Sequence, residues 1–306
     1  MAETVACLHR GRVDVLRLGQ ATQRLESPYL QRQSATRGSR AHARIVSVTR
    51  GRTNAELCYA IDNHGDSSVF VQVPGSSEEQ LLFHGVGTQL SELDLSPADE
   101  ALTCTVTGAG GTSALGVLSD DGKGVRTVTE GDVIDRTPRW VPGGRGEIVY
   151  ASAGIGRTQA GRAVGRSPFA LHRLRFSDNS VEVLMADARY DYSAPVPVSA
   201  NLLYALRRSY EPARRASGFT RLSHAFFGSF SGEARAATAR AHSQELVRIS
   251  TRGSASIAHD VSAFDIAPNE EVVYASGNCV FRIPAGKTTP EPILALEHVE
   301  QLVIAC

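Results

Sequence analysis

The stretch AGKTTP, residues 285–290, ends like the Gly-Lys-Thr of a phosphate-binding loop. Such a loop needs a glycine five positions before its Gly-Lys pair and a helix after it, so that backbone N–H groups converge on phosphate oxygens. Phe281 stands at that position and Pro290 stops a helix, so the stretch reads as a turn between strands. GIGRTQ (154–159) and TGAGGTS (107–113) lack the third glycine of a dinucleotide fingerprint and read as turns too. GSFSG (228–232) centres on Phe230, where an acyl-transfer elbow places its nucleophilic serine.

Asp62, His64 and Asp66 in IDNHGD alternate and could offer metal ligands from one loop, but the same residue types favour a β-turn. His259, Asp260 and His298 fall just before strand-like segments and could flank a channel mouth as hydrolase or lyase groups. Structural hydrogen bonding is the other reading of those three. The patterns assign no catalytic, cofactor or metal residue, and the expectation leans away from an enzyme.

Elements that would position such groups are β-strands. Length 306 and 42% apolar residues suffice for a large core. Stretches with helical periodicity are almost absent between strand-like runs, which removes α/β alternatives. The five cysteines, Cys7, Cys58, Cys104, Cys279 and Cys306, lie in or beside apolar runs without C-x-x-C pairing, as expected of reduced thiols on strands. No run of 18 apolar residues occurs and MAETVACLHRGR has no signal-like apolar stretch, so the expected location is cytoplasmic, with no membrane contact. Of 32 basic residues only Lys123 and Lys287 are lysines, a bias that suggests a GC-rich bacterial genome.

A repeat runs along the chain. TQLSELDLSPADEALTCTVTG (88–108), DRTPRWVPGGRGEIVYASAG (135–154), DVSAFDIAPNEEVVYASG (260–277) and HVEQLVIAC (298–306) align, with YSAPVPVSANLLYALRR (192–208) as a degenerate copy. Each alternates apolar and polar residues, turns at a proline with small or acidic neighbours, and enters a second apolar strand. Two more strand-like runs follow before the next copy, and four strands per unit of about 38–50 residues is the pattern of propeller blades. The predicted fold is an all-β, six-bladed propeller forming a single domain over 1–306. Its blades lie near 43–84, 88–130, 135–187, 191–260 and 261–297. A closing blade unites 298–306 with 3–27, which removes exposed sheet edges.

Asp135, Pro138, Trp140, Pro142, Gly143 and Ile148 to Ser152 resemble the D-x-x-P-x-W-S-P-D-G-x-x-I-x-F-x-S repeat of TolB-type, WD-like propellers. Similar repeats form the propeller of prolyl oligopeptidase-class peptidases. The other copies lack Trp. The resemblance implies a fold that hosts many unrelated functions.

Three segments exceed ordinary turns and would open on one face: 28–44, 154–168 and a b-to-c insertion at 207–243. Arg32, Arg37, Arg40 and Arg44 occupy the first, and Arg157, Arg162 and Arg166 the second, with no acid in either. The third holds Arg207, Arg208, Arg214, Arg215, Arg221, Arg235 and Arg240 against Glu211 and Glu233, together with Tyr210, Phe219, Phe226, Phe227 and Phe230 and the helix-favouring EARAATARAHSQ. Arginine forks bind carboxylate and phosphate, and Arg with aromatics is enriched at interface hot spots. The expected function is therefore a non-catalytic protein-interaction scaffold whose basic face meets another protein with an acidic surface. The expected contacts are Arg37, Arg40, Arg157, Arg162, Arg166, Arg208, Arg214, Arg215, Arg221, Phe226 and Phe227. Nucleic-acid binding by the same face is the alternative, and a solvated face with the phenylalanines packed on the rim is a third reading.

Overall fold

The computed structural model describes residues 4–17, 20–37, 43–53, 55–96, 101–118, 122, 124–144, 146–212 and 244–305. Alternating apolar residues broken by Pro, Gly and Asp-rich turns give strands nearly throughout. The first are β1 (Thr4–His9), β2 (Arg12–Arg17) and the short β3 (Gln23–Arg24). Next come β4 (Arg44–Arg50), β5 (Leu57–Asn63), β6 (Asp66–Gln72) and β7 (Gln80–Gly85), paired in that order.

A larger sheet holds β8 (Leu90–Leu95), β9 (Leu102–Thr107), β10 (Ser113–Leu118), β11 (Val125–Thr127), β12 (Val133–Trp140), β13 (Glu147–Arg157), β14 (Ala163–Arg166), β15 (Ala170–Arg175) and β16 (Ser180–Met185). A single parallel bridge between Ser113 and Ile134 joins its two halves. Two four-stranded sheets follow. One is β17 (Tyr190–Ser199), β18 (Leu202–Ser209), β19 (Glu245–Ser250) and β20 (Gly253–Ala258). The other is β21 (Val261–Ile266), β22 (Val272–Ser276), β23 (Cys279–Ile283) and β24 (Glu291–Ala295). The last strand, β25 (Val299–Ala305), pairs antiparallel with β1, Val5 opposite Ile304 and Cys7 opposite Leu302.

The fold is an all-β propeller. Its first strands touch in sequence: β25 with β4, β4 with β8, β8 with β12, β12 with β17, β17 with β21, and β21 with β25. Apolar clusters fill the spaces between neighbouring sheets, as where Val149 and Leu171 meet Tyr192 and Val247. Trp140 packs on Phe176 at 5.7 Å in a cluster with Leu115 and Ile148, so it joins the two halves of the large sheet. The buried thiols follow from the same packing: Cys7, Cys58 and Cys104 are free, and burial pushes each up to about 12.

The innermost strands share a bulge. Pairing skips from Ser91 to Asp94, from Arg136 to Arg139 and from Ser193 to Val196. The first skipped residues, Glu92, Thr137 and Ala194, have φ of 53°, 52° and 48°. Side chains beside these bulges tie one sheet to the next. Val48 N–H donates to Gln301 Oε1 (3.0 Å), Leu93 N–H to Ser47 Oγ (2.8 Å), Thr137 N–H to Glu92 (2.7 Å), Trp140 N–H to Asp94 (2.8 Å) and Ile304 N–H to Asp265 (2.8 Å).

One expectation fails at the first insertion. The segment 28–44 reads as a loop, yet Pro28–Arg37 forms helix α1. Ser27 accepts the Leu30 N–H at 3.3 Å and Pro28 takes the first helical position, a start signal that the sequence carries openly. Buried Glu79 then anchors the helix, accepting from Ser27 (2.8 Å), Tyr59 (2.6 Å) and the Tyr29 N–H.

Candidate functional site

The second insertion is also more ordered than a loop. β13 continues past its sheet, and its Ile155–Arg157 end pairs with β14 around a turn in which the Thr158 N–H donates to the Arg162 carbonyl (2.9 Å). Interleaved glycines in GIGR and AVGR mask the strand alternation of this hairpin arm. Val164 on the arm is 60% exposed, and Arg162 lies exposed at its turn.

The described arginines of the second and third insertions are mostly answered by carboxylates. Arg157 Nε donates to Asp132 at 2.7 Å, and a terminal nitrogen of the same side chain to the Gly161 carbonyl at 3.1 Å. Arg166 forks onto both oxygens of Asp191, at 2.7 and 2.8 Å, and Arg208 Nε reaches the same carboxylate at 3.3 Å. The Phe169 N–H completes the set at 2.9 Å. The Arg166 guanidinium lies 4.5 Å from the Phe169 ring and 5.3 Å from that of Tyr210, whose hydroxyl donates to the Arg166 carbonyl.

Burial alone raises the Asp191 pKa, but the Arg166 hydrogen bonds, the Phe169 N–H and the charges of Arg166 and Arg208 outweigh it. Its carboxyl is held below the usual range. Neighbouring Arg207 pairs with Glu245 and lies over the Tyr190 ring at 4.9 Å. Arg162 differs: no ion pair to it forms among the described residues. Arg37 closes α1. Arg40, Arg214, Arg215, Arg221, Phe226 and Phe227, and the helix expected within 207–243, lie outside the described residues.

The residues considered for chemistry are turn residues. Asp62 accepts the Gly65 N–H (3.1 Å) and Asp66 the Gly87 N–H (2.7 Å). With φ of 59° at His64 and 97° at Gly65, IDNHGD makes a two-residue hairpin turn of the primed type. Among the described residues no His, Cys, Asp and Glu side chains gather as a metal site would require. Asp260 and His298 share φ of 56° at matching turns, while His259 faces Glu245 at 3.6 Å and His298 faces Glu297 at 3.9 Å. Each imidazole has its own carboxylate, and no hydrogen bond or ion pair joins the three residues to one another.

Sequence reasoning missed the charged group at the opposite ends of the inner strands. Arg139 meets Asp94 at 3.0 Å and Arg50 meets Asp265 at 3.4 Å, from four different strands. The signal was a charged residue recurring at or next to the end of an otherwise apolar inner strand.

Four-stranded repeats with inner-strand bulges and a terminal strand pair make the fold a β-propeller. Solved structures agree on that fold. No family model matches the chain, and no curated protein matches it. TolB from Acinetobacter baumannii superposes with a TM-score of 0.62 at 14% identity, covering 99% of this chain and 66% of that one. A structure of a nidogen/laminin complex gives 0.62 at 9% identity, covering 99% and 98%. The tricorn protease gives 0.55 at 9% identity, covering 95% of this chain and 33% of that one. The chain thus spans about two thirds of that TolB and a third of the protease.

Proposed function

We propose that this protein is a non-catalytic interaction scaffold of a bacterial cytoplasm, a single six-bladed propeller closed by pairing of its terminal strands. Its arm-bearing face captures a partner protein through an acidic surface. The observation that carries this reading is Arg162, exposed at the turn of a two-stranded arm whose other arginines are already matched by carboxylates. Arg208 reaches Asp191, the carboxylate held by Arg166 of that arm, and in the sequence it is followed by Arg214, Arg215, Arg221, Phe226 and Phe227. The likeness to a structure of a protein complex supports a protein partner.

The test is affinity capture from the native host with tagged wild type, Arg162→Glu, and a triple variant carrying Glu at Arg214, Arg215 and Arg221. A protein retained by the wild type and lost by both variants, but kept by a control with Glu at the distant Arg252, is the expected result. Identical capture by all four forms overturns the assignment. So does a duplex DNA or RNA that binds tightly at low salt and is released steeply as salt rises, because that dependence marks phosphate contacts.

A further inference from the structure

We propose that Arg166, Arg208 and the Phe169 N–H form a carboxylate-binding site that this chain fills with its own Asp191, and that this internal ligand docks the β13–β14 arm onto the β17–β20 sheet. Four donor contacts converge on one carboxylate whose side chain is 4% exposed: two parallel bonds from Arg166, one from Arg208 Nε and one from a backbone amide. A bidentate guanidinium with an aimed N–H matches the in-plane lone pairs of a carboxylate, and charge-assisted bonds of this kind are the strong ones. The guanidinium that holds the carboxylate is itself fixed by the rings of Phe169 and Tyr210.

The reason such a site is needed lies in the inner strands. At other junctions a side chain on one inner strand accepts a backbone N–H from the next. Pairing registers place Pro197 where β12 has Trp140 and β8 has Leu95, and Pro195 follows Ala194 as Pro138 follows Thr137. Proline has no N–H to give, so β17 cannot receive the tie that Trp140 takes from Asp94. The contact moves to the start of the strand, where Asp191 accepts from Phe169 and the Tyr192 N–H donates to the Phe169 carbonyl at 3.0 Å. Asp191 thus does for β17 what Asp94 and Asp265 do elsewhere, and it acts on the arm because Arg166 is the last residue of β14.

The site belongs to the face assigned above to partner capture, but its test needs no partner, so the two can fail separately. In Asp191→Ala the donor set is vacated. The variant is expected to melt a few degrees lower and to exchange the amides of 155–166 about tenfold faster. Sodium acetate should then restore both properties saturably, where sodium chloride at equal ionic strength does not. Adding Arg166→Gln should abolish the acetate response. Equal effects of acetate and chloride, or arm amides that keep wild-type protection, would overturn the proposal. Should Asp191→Ala not fold, Arg166→Gln alone keeps the question open to a decision: arm exchange rising while the protection of β5 stays unchanged supports the docking role, and unchanged arm exchange refutes it.

Discussion

Glu92 shows how one carboxylate can hold a joint between sheets and set a pH dependence. It sits with φ of 53° in the β8 bulge and accepts the Thr137 N–H (2.7 Å), the Thr105 hydroxyl (2.7 Å) and Arg136 (2.9 Å). Burial pushes its pKa up, but Arg136 and these hydrogen bonds outweigh burial, and the carboxyl lies below its ordinary value. Asp191 is displaced in the same direction. A carboxylate whose folded pKa is depressed contributes stability that is complete above its unfolded pKa, about 4, and is lost as pH falls through the folded value. Denaturant midpoints measured between pH 7 and pH 3 should therefore fall below about pH 4.5, and Glu92→Gln should flatten that fall. Glu92→Ala at pH 7 leaves the Thr137 N–H and Arg136 without their acceptor and should cost about 1–3 kcal/mol. A midpoint that is flat in pH for both proteins would show that these charges do not hold the joint.

Strands β21 and β25 illustrate what such ties do for an element. Asp265 is buried on β21, accepts the Ile304 N–H of β25 at 2.8 Å and meets Arg50 of β4 at 3.4 Å. Its removal in Asp265→Ala strands a buried donor and a guanidinium, a loss of about 2–3 kcal/mol. Amides of β25 should exchange faster by a larger factor than those of β9, which has no contact with Asp265; wild-type protection across β25 would refute the tie. None of this could be read along the sequence, because Asp265 and Ile304 are joined only through the fold. Much else could. The repeat, its proline turns and the apolar runs of IVYAS and VVYAS have local causes, and so has the left-handed turn at Asp260 and His298. The arginine-rich insertions were visible as charge, but their neutralisation by Asp132, Asp191 and Glu245 was not, since each partner lies outside the insertion it answers. The arm itself was hidden by glycines, and α1 was overlooked although Ser27 and Pro28 announce it.

Closure by the terminal strands is the property on which the proposed ring depends. β25 offers one edge to β1, and Val5, Leu8, Val13, Val15 and Leu25 of the N-terminal segment are buried against it or against the neighbouring sheet. Burying a large apolar side chain contributes about 1.5–3 kcal/mol, so these residues together rival the 5–15 kcal/mol by which a typical domain is stable. Deleting residues 1–27 also leaves the edge of β25 unpaired, with Leu302 and Ile304 uncovered. The shortened chain should lose its cooperative melting transition and associate, as followed by circular dichroism and sedimentation. A synthetic peptide of residues 4–27 added during refolding should restore the transition, because the contacts it makes are antiparallel pairing and apolar packing that need no covalent link to β4. A shortened chain that melts cooperatively within a few degrees of the full protein would mean that the remaining sheets are stable as an open arc and that the terminal pair is not what holds the molecule together.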